Sequence, residues 1–404
     1  MSHGTLTSMD DDWTRLSSTM PAMVARPVPK RALLAVRRLC LSGWPAEVFV
    51  PALLEALHGV IPSARNLFDW ADADGRLLHY FVEGAVDTAV ARLYFERFHN
   101  REEAMCMPPF DSLRQAPMGV RGAAELNRAE FFDSALYHQI WRPQGLHTRI
   151  EGIVRTRSGR LLGSLVLYRG PHDPPFDPRA EALLATLLPM VAAALERAQP
   201  MAAFAPNDLH VNSREPVQTL LLNLRGQVLH ATPGAARLLM LADDGLSRDA
   251  LQRSMDERVQ RLFACLITPL ARRAQLQPAA TPRAGWPSLT VLNGFGRFEV
   301  HSAILWPPEA SSAAAAPLLQ IMVRWLEPRA VAIQRVLRDL PISEAQASVC
   351  AALYAGRAQT DIARSTGVAA STVVDHVRKL YRTLEVNAVA EIRELIDRRI
   401  AAQT

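Results

Sequence analysis

At Arg329 the chain changes its pattern, and that change constrains the fold more than any other feature. Before it come β-rich runs separated by turn signals. After it the strands stop, and apolar residues recur three and four apart to the end, as in helices that each bury one face. A chain of 404 residues has room for roughly two to four domains. A polar, proline-containing link, "QPMAAFAPNDLHVNSREP", divides the part before Arg329 again. The expected organisation is a loose polar tail at 1–25, α+β domains at 26–200 and 201–328, and an all-α domain at 329–404.

Local signals fill in the first two domains. "KRALLAVRRLCLSG" and "PAEVFVPALLEALHGV" read as amphipathic helices. "NLFDWADADGRLLHYFVEG" reads as two strands about an Asp74-Gly75 turn, and "TRIEGIVRTRSGRLLGSLVLYRG" as two more about Ser158-Gly159. The helix at 179–198 is apolar round much of its circumference, so it packs on a core or a partner. In the second domain "VQTLLLNLRGQVLHATPGAARLLML" predicts strand, turn, strand and short helix. "FGRFEVHSAILWP" and "PLLQIMVRWLE" predict two further strands flanking the insert "PEASSAAAA".

Composition excludes several classes. Apolar residues at 49% and charged residues at 21% describe a globular chain. The longest apolar run, 182–195, contains a proline and falls short of the roughly 20 residues a bilayer needs. The acidic N-terminus lacks the features of an export signal, so a cytoplasmic location is expected. Cys40, Cys106, Cys265 and Cys350 are widely spaced, which excludes a disulfide framework or zinc ribbon. Cys106, between two methionines, reads either as an oxidant sensor or as a small buried hydrophobe. The formal charge of +5 is compatible with a nucleic-acid partner.

The last domain is the most informative. Pro341 and a Ser343-x-x-Gln346 capping box open a helix that ends at Gly356. In "QTDIARSTGVAASTVVDHV", Ala363 is small where two helices cross, Gly367 supplies the positive φ of a sharp turn, and Val373 locks the second helix. Ile362 and Val368 are expected to fill the corner. These residues resemble the LuxR-type helix-turn-helix family over 342–392, including Gly356, "DIA" at 361–363, Gly367-Val368, "STV" at 371–373, His376, Leu380-Tyr381, Leu384, Val386 and "AE" at 390–391.

The resemblance implies a four-helix domain whose third helix enters the major groove of double-stranded DNA. Base-facing positions then fall on Val374, Asp375 and Arg378, with Thr372, Lys379 and Arg382 placed for phosphates. Asp375 can accept from a cytosine amino group. The fourth helix commonly supports dimers in this family, which assigns Val389, Ile392, Ile396 and Ile400 to a homodimer contact. Ala358 and Ala369 replace usual capping serines, at roughly 0.5–2 kcal/mol each, and Glu385 replaces a usual glycine. Five basic and two acidic residues lie between Arg357 and Arg382, a net of +3, so tight binding is expected only from paired copies.

The end of the first domain resembles a GAF domain, and the start of the second is similar to a PAS domain. Both resemblances imply a sensor for a small-molecule or protein effector. Trp70, Tyr137 and Trp141 are the candidate pocket lining. His138 and His147 read as pocket or metal groups, or as satisfied, partly buried histidines. "NGFGRF" at 293–298 reads as a turn, not a phosphate loop. No H-E-x-x-H, G-x-S-x-G or paired-cysteine motif is present, so neither an enzyme nor a cofactor is expected. The reading is a cytoplasmic transcription regulator with sensor-like front domains; the alternative is one whose front domains bind a partner protein.

Overall fold

The computed structural model describes residues 30–84, 87–198, 210–243, 253–275, 286–307 and 316–403. The tail at 1–25 and the insert at 308–315 lie outside the described residues. The chain builds two antiparallel sheets and a C-terminal helical cluster, a mixed α/β architecture.

Helices α1 (Lys30–Cys40) and α2 (Ala46–Leu57) precede strands β1 (Arg65–Ala71) and β2 (Leu77–Val82). Asp72 shapes the hairpin between these strands, its Oδ1 accepting from the N–H groups of Asp74 and Arg76 at 2.9 and 2.8 Å. Then come α3 (Thr88–Leu93), β3 (Gly119–Arg121), α4 (Ala123–Leu126), α5 (Ala129–Phe132), β4 (Thr148–Arg155), β5 (Leu161–Arg169) and α6 (Pro178–Arg197). The first sheet has the order β2-β1-β5-β4-β3.

Because successive residues of a strand point to opposite faces, this sheet has two characters. Phe68, Trp70, Ile150, Val154, Leu165 and Leu167 join the main core with α1, α2 and α6. By its length and composition alone α6 could cross a membrane, but Leu184, Leu187, Leu188 and Val191 are buried in this core. A Cβ on Gly152 would lie 2.6 Å from Leu188 Cδ2, so α6 packs where β4 carries no side chain.

The second sheet uses β6 (His210–Asn212), β7 (Gln218–Leu222), β8 (Val228–Ala231), β9 (Ser288–Asn293), β10 (Gly296–Leu305) and β11 (Leu318–Pro328). Its order is β8-β7-β11-β10-β9, with β6 pairing β11, so the end of the expected link is itself a strand. With the short β6 left out of the count, both sheets read 2-1-5-4-3. Helices α7 (Ala235–Ala242) and α8 (Met255–Ala274) cover one face of the second sheet. The 293–298 stretch is the β9–β10 turn, as expected.

That turn also joins the two sheets. Phe295, 1% exposed, stacks on Phe81 at 6.0 Å and on His79 at 5.7 Å. Arg237 of α7 donates to the Val82 carbonyl and to Glu215, beside the rings of Phe81 and Trp325. The hydrophobic core therefore runs continuously through both units.

After Pro328 come α9 (Arg329–Asp339), α10 (Glu344–Tyr354), α11 (Gln359–Thr366), α12 (Ala370–Leu384) and α13 (Val389–Ala401). The expected capping box forms at Ser343 and Gln346. Helix α9 belongs to two cores at once: Val331 packs into the main one, and Ala332, Val336 and Leu337 into the helical one. Arg335, 8% exposed, gives Glu327 a bidentate pair at 2.8 and 3.0 Å, and its Nε bonds Glu55 of α2 at 2.8 Å. Arg338 adds a bond to Glu55 at 2.7 Å. Burial alone would raise the Glu55 pKa; the two arginines outweigh it and hold the carboxyl below its ordinary value.

Replacing Arg335 alone strands a buried carboxylate. Arg335→Ala should cost about 3–5 kcal/mol in urea denaturation, whereas Arg335→Met with Glu327→Leu should cost far less. Equal losses for the two variants would show that packing, not charge pairing, is what matters here.

Candidate functional sites: an exposed helix face and an aromatic cavity

Helices α11 and α12 meet at Gly367, whose φ of 68° and ψ of 22° make the left-handed turn that its sequence position calls for. Ile362 and Val373 are fully buried between the helices. Val368 differs from expectation: it is 41% exposed, and Ile362 and Val373 close the corner without it. Along α12, Val373, Val377 and Leu380 are buried, which turns Thr372, Asp375, Arg378, Lys379 and Arg382 to solvent and leaves Val374 half-buried. Arg378 lies 3.8 Å from Asp375 one turn earlier, with both side chains mainly exposed. Neither α11 nor α12 has a side-chain N-cap, as expected from Ala358 and Ala369. Glu385 ends α12 at φ 55° and ψ 46°, a left-handed conformation that suits glycine.

The stripe on α13 requires a correction. Ile392 and Ile396 are fully buried and Ile400 is 5% exposed, all inside this chain's own helical core, with Val389 packed against it. Helices α9 and α10 cover this face, so it is not a free dimer contact. Arg329, Tyr354 and Asp397 pin the same helices together, Tyr354 donating to Asp397 Oδ1 at 2.6 Å.

A cavity of about 140 Å³ lies on the face of the first sheet opposite α6. Its floor comes from the alternate set of strand residues: Leu67 and Asp69, Tyr80, Arg149 and Glu151, and Tyr168. Its wall comes from the segment between β2 and β4. There two π-helical turns, Tyr94–Phe98 and Tyr137–Trp141, place Tyr94, Phe95, Ile140 and Trp141 on the cavity; such turns recur at functional sites.

Of the three expected lining residues, only Trp141 reaches this cavity. Trp70 is next to Asp69, so strand parity sends it to the other face, where it packs edge-on against Phe68 and Phe295. Tyr137 lies behind the wall, with its hydroxyl 2.8 Å from His147 Nδ1 and its ring against Phe131 and Phe132. His138 is exposed. Among the described residues no group of three or more His, Cys, Asp or Glu is placed to hold a metal. Cys106 is half-buried, and burial leads the effects that push its thiol pKa up.

Charge inside the cavity is unusual. Glu103, 1% exposed, accepts from the Tyr94 hydroxyl at 2.8 Å and the Asn100 N–H at 2.7 Å. Glu151 pairs with Arg121 at 3.3 Å. Asp69 has only a long bond from Ser164, at 3.3 Å. Burial, reinforced by Glu151, pushes its pKa up to about 8, so its carboxyl carries a proton at neutral pH. Burial likewise raises Tyr80 and Tyr168 to about 12 and lowers His99. Arg149, 8% exposed, lies over the Trp141 ring at 5.2 Å and donates from Nη2 to Met107 Sδ at 3.3 Å, while its buried Nε–H has no partner.

No family model and no curated protein matches this chain. Among solved structures, an extracellular ligand binding receptor from Desulfohalobium retbaense DSM5692 is similar at 10% identity and a TM-score of 0.19. That match covers 73% of this chain and 37% of the receptor, so the chain spans little more than a third of its length. The E. coli DhaR(N)-DhaL complex is similar at 12% identity and a TM-score of 0.23, over 74% of this chain and 90% of the matched one. TM-scores this low define no common fold.

Two outcomes follow from the local geometry. The unfolded chain releases the Asp69 proton near 3.8 and the folded chain near 8, so between these values the folded state holds more protons and loses stability as pH rises. Urea midpoints at about pH 5 and about pH 8 should therefore fall further apart for the wild type than for Asp69→Asn. At the end of α12, Glu385→Gly should relieve the left-handed backbone and stabilise the protein by about 1 kcal/mol in thermal or urea unfolding.

Proposed function

We propose that this chain is a DNA-binding transcription regulator of the LuxR type, with GAF-like and PAS-like front units that control a C-terminal helix-turn-helix. The observation that carries the reading is the surface of α12. Three apolar residues anchor it, and Thr372, Asp375, Arg378, Lys379 and Arg382 stand exposed on the side away from the core. An α-helix presented in this way fits the major groove. The shared 2-1-5-4-3 strand order supports related sensor folds at the front.

Each side chain then has a distinct task. Arg378 reads a guanine edge bidentately, and Asp375 accepts from a cytosine amino group while repelling a misplaced phosphate. Lys379, Arg382 and Thr372 hold the backbone, and Val374 meets a thymine methyl. In the free protein Asp375 is close enough to Arg378 to orient its guanidinium before DNA arrives. With a net of only +3 over 357–382, affinity comes from two copies on paired half-sites. The copies meet through a surface other than the isoleucine stripe of α13, which is used internally.

Control would pass through α9, the helix that shares both cores and carries the Arg335 and Arg338 pairs to Glu55. A signal that favours one seating of the front units over another would bias the helical cluster, provided its affinity differs between the two states. A small-molecule effector is favoured over a protein effector because the front unit holds a cavity lined by aromatic rings and a buried guanidinium.

Arg378→Ala should cost about 1–3 kcal/mol at its base position and relax selectivity there, measured by binding-site selection followed by fluorescence anisotropy. Lys379→Ala should instead weaken all sequences alike and reduce the salt dependence by about one phosphate contact. Unchanged selectivity in Arg378→Ala would rule out this helix as the reader.

A further inference from the structure

We propose that the cavity on the first sheet is a receptor site for a small aromatic carboxylic acid, one ring in size, whose carboxylate pairs with the guanidinium of Arg149. This extends the sensor reading by naming the chemistry of the signal.

Size sets the first limit. A cavity of roughly 150 Å³ takes one benzene ring, and this one measures about 140 Å³. The walls set the second. Tyr80 and Phe95 stack at 5.8 Å, Tyr94 meets Phe95 edge-on at 5.2 Å, and Trp141 meets Tyr168 edge-on at 5.1 Å. These rings present flat, polarisable surface suited to another ring. An inorganic anion would leave that surface unused.

The polar groups decide the substituent. The Arg149 guanidinium lines the cavity, is more than nine-tenths buried and donates to a thioether, a weak acceptor; among the described residues no carboxylate lies within 4 Å of it, so the buried charge is costly unless a ligand pairs with it. An aromatic hydrocarbon would leave it without that pair, and an ammonium ligand would bring a second cation beside it. A carboxylate supplies the missing acceptor with a matching charge. The nearby acids do not forbid this. Glu151 is held by Arg121, Glu103 by Tyr94 and Asn100, and Asp69 carries a proton that makes it a second donor toward the ligand. At the rim, Arg65 bonds Gln144 at 3.4 Å and adds positive charge along the way in.

Calorimetric titration of the full chain with benzoate, ring-hydroxylated benzoates, benzylamine and acetate tests this directly. At least one of the aromatic acids should bind at one site per chain and raise the melting temperature, and benzylamine and acetate should do neither. Arg149→Lys, which keeps the charge but loses the planar fork of donors, should weaken the acid by about tenfold or more. Tryptophan fluorescence of the wild type should respond to the acid, a readout that survives if the variant fails to fold. No heat and no melting shift for any aromatic acid at millimolar concentration would overturn the proposal, as would preferential binding of benzylamine. The assay contains no DNA, so its failure would leave the reading of α12 standing, and loss of DNA binding would leave this site standing.

Discussion

The tertiary arrangement depends on one buried guanidinium. Arg335 bonds Glu327 at the end of β11 and Glu55 in the last turn of α2, so a single side chain joins the second sheet, the first unit and the helical cluster. A buried charge is tolerated only when its partners are placed well, and removing one partner is far worse than removing the whole set. The contact therefore fixes orientation as well as proximity. Arg31 of α1 strengthens it from the other side by donating to the carbonyls of Leu337, Arg338 and Leu340, where α9 ends with unsatisfied acceptors.

This arrangement gives α9 its importance. A helix that contributed to one core alone would act as a tether. Here Val331 faces one core and Ala332, Val336 and Leu337 the other, so a displacement of either core is felt by the other. The Phe295 turn has a similar role between the two sheets, where it packs on Phe81 and His79. Cavity, sheets and C-terminal helices are thus parts of one packed body.

Much of this was legible in the residues. The Asp72–Arg76 hairpin, the Ser343 capping box, the Gly367 turn and the buried face of α12 are all local, and local chemistry decides them. The helix α8 also carried its signal, since Ser254 and Glu257 form a capping box and Val259, Phe263, Leu266, Ile267 and Leu270 recur at helical spacing on its buried face. The cavity had a quieter signal: Asp69, Arg149 and Glu151 are charges inside otherwise apolar strands, where a charge without a purpose is costly. Aromatic content pointed instead to Trp70 and Tyr137, one on the opposite face and one behind the wall.

By itself the sequence determined which residues form helices and strands, where the chain turns, and which face of each helix is apolar. Only the tertiary structure decided what covers each apolar face. The isoleucine stripe of α13 reads the same whether it meets a second copy or its own α9 and α10, because periodicity specifies burial and not the partner. Similarly, parity separates Asp69 from Trp70, but only the packing of α6 on one side and the π-helical wall on the other made one face core and the other cavity. The raised pKa of Asp69 and the burial of Arg149 arise there, from desolvation and neighbours brought in by distant segments of the chain.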